Sequence, residues 1–129
     1  MQPIGLNDGP FLVFTFGVEG NVIIIEDHYE NKFPKLTLDT HKSCLFLNAI
    51  KSLYKSDGNI SNVIQINNLW SVSIHKTLEL KSGINYCITI NAKESINSPH
   101  HKYEVTGCLP NSSNDFLNVI DKLLHAFEQ

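Results

Sequence analysis

The sequence contains no arginine. All ten basic residues are lysine, set against thirteen Asp and Glu, for a formal net charge of −3 with the six His neutral. Without guanidinium groups the chain lacks the planar fork that grips phosphate or carboxylate bidentately, which lysine does not reproduce. Affinity for a nucleic-acid backbone comes from clustered positive charge, so this balance argues against nucleic acid as a partner. Cysteine is also sparse. Cys44, Cys87 and Cys108 make an odd number with no paired spacing, which argues against a disulfide framework and for reduced thiols.

Long apolar runs are missing too. A membrane helix needs roughly 18 apolar residues. The longest stretch here, Phe11 to Phe16 followed by Val22 to Ile25, is interrupted by Gly17 and Gly20 and has no Lys or Arg ahead of it. It therefore reads as neither a span nor a secretory leader, and the expected location is cytoplasmic. Without a leader, the glycosylation tripeptides at Asn59 and Asn111 carry no weight. The phosphate-cradling patterns GxGxxG and GxxxxGK, the nucleophile elbow GxSxG and the zinc-protease HExxH do not occur. The expectation is a protein that is not an enzyme and uses no cofactor.

What is present is a globular composition, 42% hydrophobic and 18% charged, in a length suited to one domain over residues 1–129. Asn and Ile occur fourteen times each; with lysine in place of arginine, this looks like the product of an A/T-rich coding sequence. Between Ile60 and Ala92 the pattern has a period of two. Trp70, Val72 and Ile74 alternate with Ser71, Ser73 and His75, and Ile84, Tyr86, Ile88 and Ile90 alternate with Asn85, Cys87, Thr89 and Asn91. Such segments are antiparallel strands with one apolar and one polar face, covered on one side.

The covering elements are two amphipathic helices, near 41–55 and 113–128. Leu45, Phe46, Ala49, Ile50, Leu53 and Tyr54 form the first stripe, after Asp39 or Thr40 as cap and before Asp57-Gly58 as stop. Phe116, Leu117, Ile120, Leu123, Leu124 and Phe127 form the second, after a start at Ser112 and Asp115 that resembles a capping box. Residues 1–10 read as an irregular lead-in. Phe11–Phe16 and Asn21–Ile25 read as a hairpin, Phe33–Leu38 as a short edge strand limited by Pro34, and Tyr103–Leu109 as a last strand with a bulge at Gly107. The prediction is an α+β fold with an antiparallel sheet of about six or seven strands and both helices packed on it.

Few side chains suggest chemistry. Glu19, Glu26, Asp27, His28 and Glu30 form the densest polar cluster. Carboxylates and an imidazole can bind metal or move protons, but the loop lacks calcium-loop spacing, and no metal is expected there. As a negative patch it suits a basic partner, because complementary charge speeds association. His100-His101 with Cys108 carries zinc-type donors, but adjacent residues of an extended chain point apart and no CxxC or HxxxH accompanies them. Cys44 near a helix start and Cys87 on the polar side of its strand read as packing residues.

Strands ending in a helix, twice over, resembles the element order of the Whirly and PUR single-strand-binding folds, although the Lys-Gly-Lys-Ala-Ala-Leu type of Whirly signature is missing. That resemblance implies the fold and, as an alternative, single-stranded nucleic-acid binding. In its compactness, Asn-rich composition and acidic loop the chain also resembles small immunity proteins encoded beside bacterial toxins, including those of contact-dependent inhibition systems. This second resemblance implies a tight non-enzymatic complex with a cognate protein toxin such as a nuclease, whose positive cleft is blocked by an acidic surface. Glu19, Glu26, Asp27 and Glu30 would then be the partner-binding residues.

Overall fold

The computed structural model describes residues 3–28, 33–56, 61–79, 83–93, 97, 101–110 and 114–127, with the backbone alone at Glu79, His101 and Lys102. Four strands, β1 (Ile4–Asp8), β2 (Phe11–Glu19), β3 (Val22–Asp27) and β4 (Leu36–Leu38), lead into helix α1 (Thr40–Lys55). Four more, β5 (Ser61–Gln65), β6 (Trp70–Glu79), β7 (Gly83–Lys93) and β8 (His101–Cys108), lead into α2 (Asn114–Phe127). All eight form one antiparallel sheet in the order β4-β3-β2-β1-β8-β7-β6-β5. No helix among the described residues is long and apolar enough to cross a membrane.

The sheet has eight strands where the sequence suggested six or seven. The difference comes from β1, which lies in the stretch read as an irregular lead-in. Its strand character is hidden because only Ile4 and Leu6 turn inward, and Gly5 and Asn7 lie between and beside them. Its place beside β2 and β8 makes it a strand, since both neighbours are distant from residues 4–8 or reached only through a turn.

Seven inter-strand gaps of about 4.8 Å make a flat sheet about 34 Å wide, far more than the roughly 10 Å diameter of a helix. Yet α1 packs against β3 and β4 at one edge and β5 and β6 at the other. The sheet is therefore curled around α1. The helix begins where the sequence predicts: Asp39 caps it by accepting from the Lys42 N–H at 2.8 Å. Ser43, fully buried, donates to the Leu38 carbonyl at 3.0 Å and accepts from the Ile23 N–H at 2.9 Å, joining the first turn to β4 and β3. At the other end, Lys76 from β6 donates to the carbonyl of the C-cap residue Ser56, where a cation suits the negative helix terminus. The suggested stop at Asp57-Gly58 and the suggested start at Ser112 lie outside the described residues.

Period-two alternation explains the core. Leu6, Phe14, Phe16, Ile23, Ile25, Val72, Ile74, Ile88 and Ile90 turn to one face and meet Phe46, Leu47, Ile50 and Leu53 of α1 and Phe116, Ile120, Leu123 and Leu124 of α2. Aromatic side chains close both ends. Phe33 touches Phe14 and Trp70, and Trp70 touches Tyr103, while Tyr54 stacks on Tyr86 and meets Phe116 at the opposite end. Tyr54 also donates its hydroxyl to the Pro110 carbonyl, and burial pushes its pKa above the ordinary tyrosine range.

Gly107 has a role other than the bulge inferred from sequence. The β7–β8 register runs without interruption through it and shifts instead between Ala92 and Lys93. A Cβ at Gly107 would lie 2.7 Å from Leu6 Cβ and 3.1 Å from Phe14 Cε1. The glycine is there so that β1 and β2 can close against β8. Gly107→Ala is expected to lower the unfolding free energy by about 1–3 kcal/mol through overpacking, measured by urea denaturation; an unchanged midpoint would mean that this seam yields without cost.

Candidate functional site

Because both helices lie on one face, no helix among the described residues covers the other. The alternation that sends Val72, Ile74, Ile88 and Ile90 inward sends polar residues outward, and the register aligns them in rows across β6, β7 and β8. Ser71, Asn91 and Glu104 form one row, Ser73, Thr89 and Thr106 the next, and His75, Cys87 and Cys108 the third. His75 Nε2 lies 2.9 Å from Thr89 Oγ1, which lies 2.7 Å from Thr106 Oγ1. Asn91 donates to Ser73 Oγ at 3.3 Å.

Thr89 is 4% and Asn91 5% exposed, so the centre of this patch is shielded by its own neighbours. Asn91 Oδ1 is buried without a hydrogen-bond partner. Burial pushes the His75 imidazole below its ordinary value of 6.5, with the Glu104 carboxylate opposing the shift, so His75 is neutral at pH 7.

The same face continues over β1, β2 and β3. Thr15 and Glu26 are cross-strand partners, as are Gly17 and Ile24, and Glu19 follows on the same side two residues beyond Gly17. Thr15 Oγ1 lies 3.1 Å from His28 Nε2. Glu19 and Glu26, both exposed, line one shallow hollow with Thr15, Gly17 and Ile24.

The four acidic residues singled out from the sequence are thus separated. Glu26 and Asp27 are consecutive in a strand and point to opposite faces. Asp27 pairs across from Phe14 and its carboxylate accepts from the Phe33 N–H at 2.8 Å, which ties down the chain entering β4. Glu30 lies outside the described residues. Glu104, which sequence reading passed over, joins Glu19 and Glu26 on the open face. Its position relative to them follows from the β1–β8 pairing, for which the sequence carries no local signal.

A second feature adjoins Glu104. Strand β1 meets β8 at the single pair Asn7 and Cys108 and then ends at Asp8. The Leu109 N–H donates to the Tyr86 carbonyl at 2.7 Å, which sets the phase of the β7–β8 ladder. Cys108, Thr106 and Glu104 are then the positions whose main-chain groups point away from β7. At Cys108 they meet β1; at Thr106 and Glu104 they face a groove of about 430 Å³ lined by Asp8, Phe11, Val13, Tyr103 and residues 104–106. The sheet thus contains a notch with an exposed strand edge and a carboxylate on each side.

Among the described residues no three of His, Cys, Asp and Glu are placed to hold a metal ion. Of the His100, His101 and Cys108 set, His100 lies outside the described residues, and Cys108 faces Cys87 with the sulfurs 3.9 Å apart. Compared with protein-family models, curated proteins and solved structures, the chain matches none.

The depressed His75 pKa fixes the sign of a pH effect. The unfolded chain takes up this proton at higher pH than the folded one, so the contribution to stability is complete above about pH 6.5 and is lost as pH falls below it. Urea denaturation across this range should show wild-type stability falling more steeply towards acid than that of His75→Gln; parallel curves would contradict the assignment.

Proposed function

We propose that this chain is a non-enzymatic immunity-type protein that binds a cognate bacterial toxin and blocks its positively charged active site. The observation that carries the proposal is the character of the open sheet face: its outward rows are rich in hydrogen-bonding side chains and acidic in balance, with the exposed ring of Phe11 at the notch beside β8. Glu19, Glu26 and Glu104 stand on it, with Lys93 at its margin. A basic protein surface is the complement of such a face, and complementary charge raises both association rate and specificity. The notch beside β8 adds a place where an extended segment of the partner can pair with the backbone at Glu104 and Thr106, flanked by Asp8 and Glu104 for a Lys or Arg.

The distribution of lysine and aromatic residues weighs against the alternative, a Whirly-like or PUR-like single-strand binder. Such a surface combines a positive groove with aromatic rings on which bases stack. Here Lys42, Lys51 and Lys55 lie on α1 and Lys122 on α2, while Lys76 points inward and is 8% exposed. Phe14, Phe16, Trp70, Tyr86 and Tyr103 belong to the core or pack against it on the helix-bearing side.

Affinity capture of the tagged protein from its host tests this reading. The expected result is a stoichiometric protein partner that is toxic when expressed alone and harmless when co-expressed. Glu26→Lys with Glu104→Lys should slow association at low salt by about tenfold or more, and the difference should shrink at high salt. Nucleic acid that dissociates with salt, or a toxin complex indifferent to both substitutions, would contradict the proposed face. Asp27 is unsuited to that test because its carboxylate holds the chain before β4; Asp27→Ala should cost about 1–3 kcal/mol of stability by leaving the Phe33 N–H without its acceptor, read from the same denaturation curves.

A further inference from the structure

We infer that Cys87 and Cys108 form a reversible thiol–disulfide site on the open face, with a low-molecular-weight disulfide such as oxidised glutathione as its oxidant. The two residues are direct cross-strand partners of β7 and β8, and their sulfurs already lie 3.9 Å apart. The Leu109 to Tyr86 hydrogen bond makes theirs a non-hydrogen-bonded pair. In such pairs the Cα atoms stand about 4.5 Å apart and the side chains approach most closely. That separation falls inside the range of about 4.4–6.8 Å spanned by bridged cysteines, so rotation about the side-chain bonds can bring the sulfurs to bonding distance with the backbone in place. Cys44, the remaining thiol, lies on α1, on the far side of the sheet.

The two thiols differ in access. Cys108 is partly exposed and Cys87 is 5% exposed, which assigns the order of events. The Cys108 thiolate attacks one sulfur of the oxidant RSSR; a Cys108–SR bond forms, the RS–SR bond breaks and RS⁻ departs. The Cys87 thiolate then attacks the Cys108 sulfur, forms the Cys87–Cys108 bond and expels the second RS⁻. The two protons released by the protein thiols protonate the two RS⁻, so the protein loses two electrons and two protons and RSSR becomes two RSH. The bond would fasten β7 to β8 beside His75 and Thr106.

The test is independent of any toxin. The folded full chain is incubated with oxidised glutathione, the residual thiols are alkylated, and intact mass and peptides are measured. The expected outcome is a fall from three reactive thiols to one, a bridging peptide that joins Cys87 to Cys108, no retained glutathione, and reversal by a dithiol reductant. Cys44→Ser should form the same bridge. Cys87→Ser should stop at one glutathionyl group on Cys108, whereas Cys108→Ser should leave Cys87 at least about tenfold slower to react than Cys108, because it is buried. Retention of all three thiols, stable glutathionylation of the wild type without a bridge, or a bridge to Cys44 would overturn the inference. Equal reactivity of Cys87 in the Cys108→Ser variant would overturn the order of attack.

Discussion

A single helix cannot cover eight flat strands, and the fold depends on how that mismatch is resolved. The sheet bends until its two edges both reach α1, and the apolar sides of the strands become the lining of a trough filled by Phe46, Leu47, Ile50 and Leu53. Each other element is fitted to this arrangement. Ser43 and Lys76 hold the two ends of the helix to opposite edges of the sheet, and one aromatic group stops each end of the trough. α2 packs beside α1, with Lys51 and Asp121 paired at 2.7 Å on the solvent side, where such a pair adds little stability.

Bending has a second effect, on the outer face. With most apolar residues committed to the trough, the outward rows of β6, β7 and β8 carry Ser, Thr, Asn, His, Cys and Glu, while Ile24 and Val63 stay outward on β3 and β5, and the lysines of the described helices lie on the reverse side. Charge and hydrogen-bonding capacity are thereby sorted by strand periodicity alone.

Local pattern made the helices legible: both stripes appear within a few residues of their observed limits, and the Asp39 cap follows from its side chain. The strands of the second half were legible for the same reason, since Trp70 to Ile74 and Ile84 to Ile90 alternate without a break. β1 was not legible, because Ile4 and Leu6 supply too short an alternation and its neighbours are chosen by tertiary pairing. The site suffered from the same limit. Glu19 and Glu26 could be named from the sequence, but that Asp27 turns away from them follows from strand parity at a hairpin whose limits were not yet known. The approach of Glu104, His75, Cys87 and Cys108 depends on register between strands, which no single segment encodes.

The seam between β1 and β8 has a consequence for the time course of folding. Each four-stranded half is a succession of near neighbours in sequence, whose loops close at small entropic cost. The seam alone joins the first strand to the last, across nearly the whole chain, and rests on one residue pair and the fit of Leu6 against Gly107. Contacts so distant in sequence form late. On the ribosome the first half must therefore wait with one side of β1 unpaired until β8 has emerged. The open face, which runs across both halves, exists as a continuous surface only from that moment.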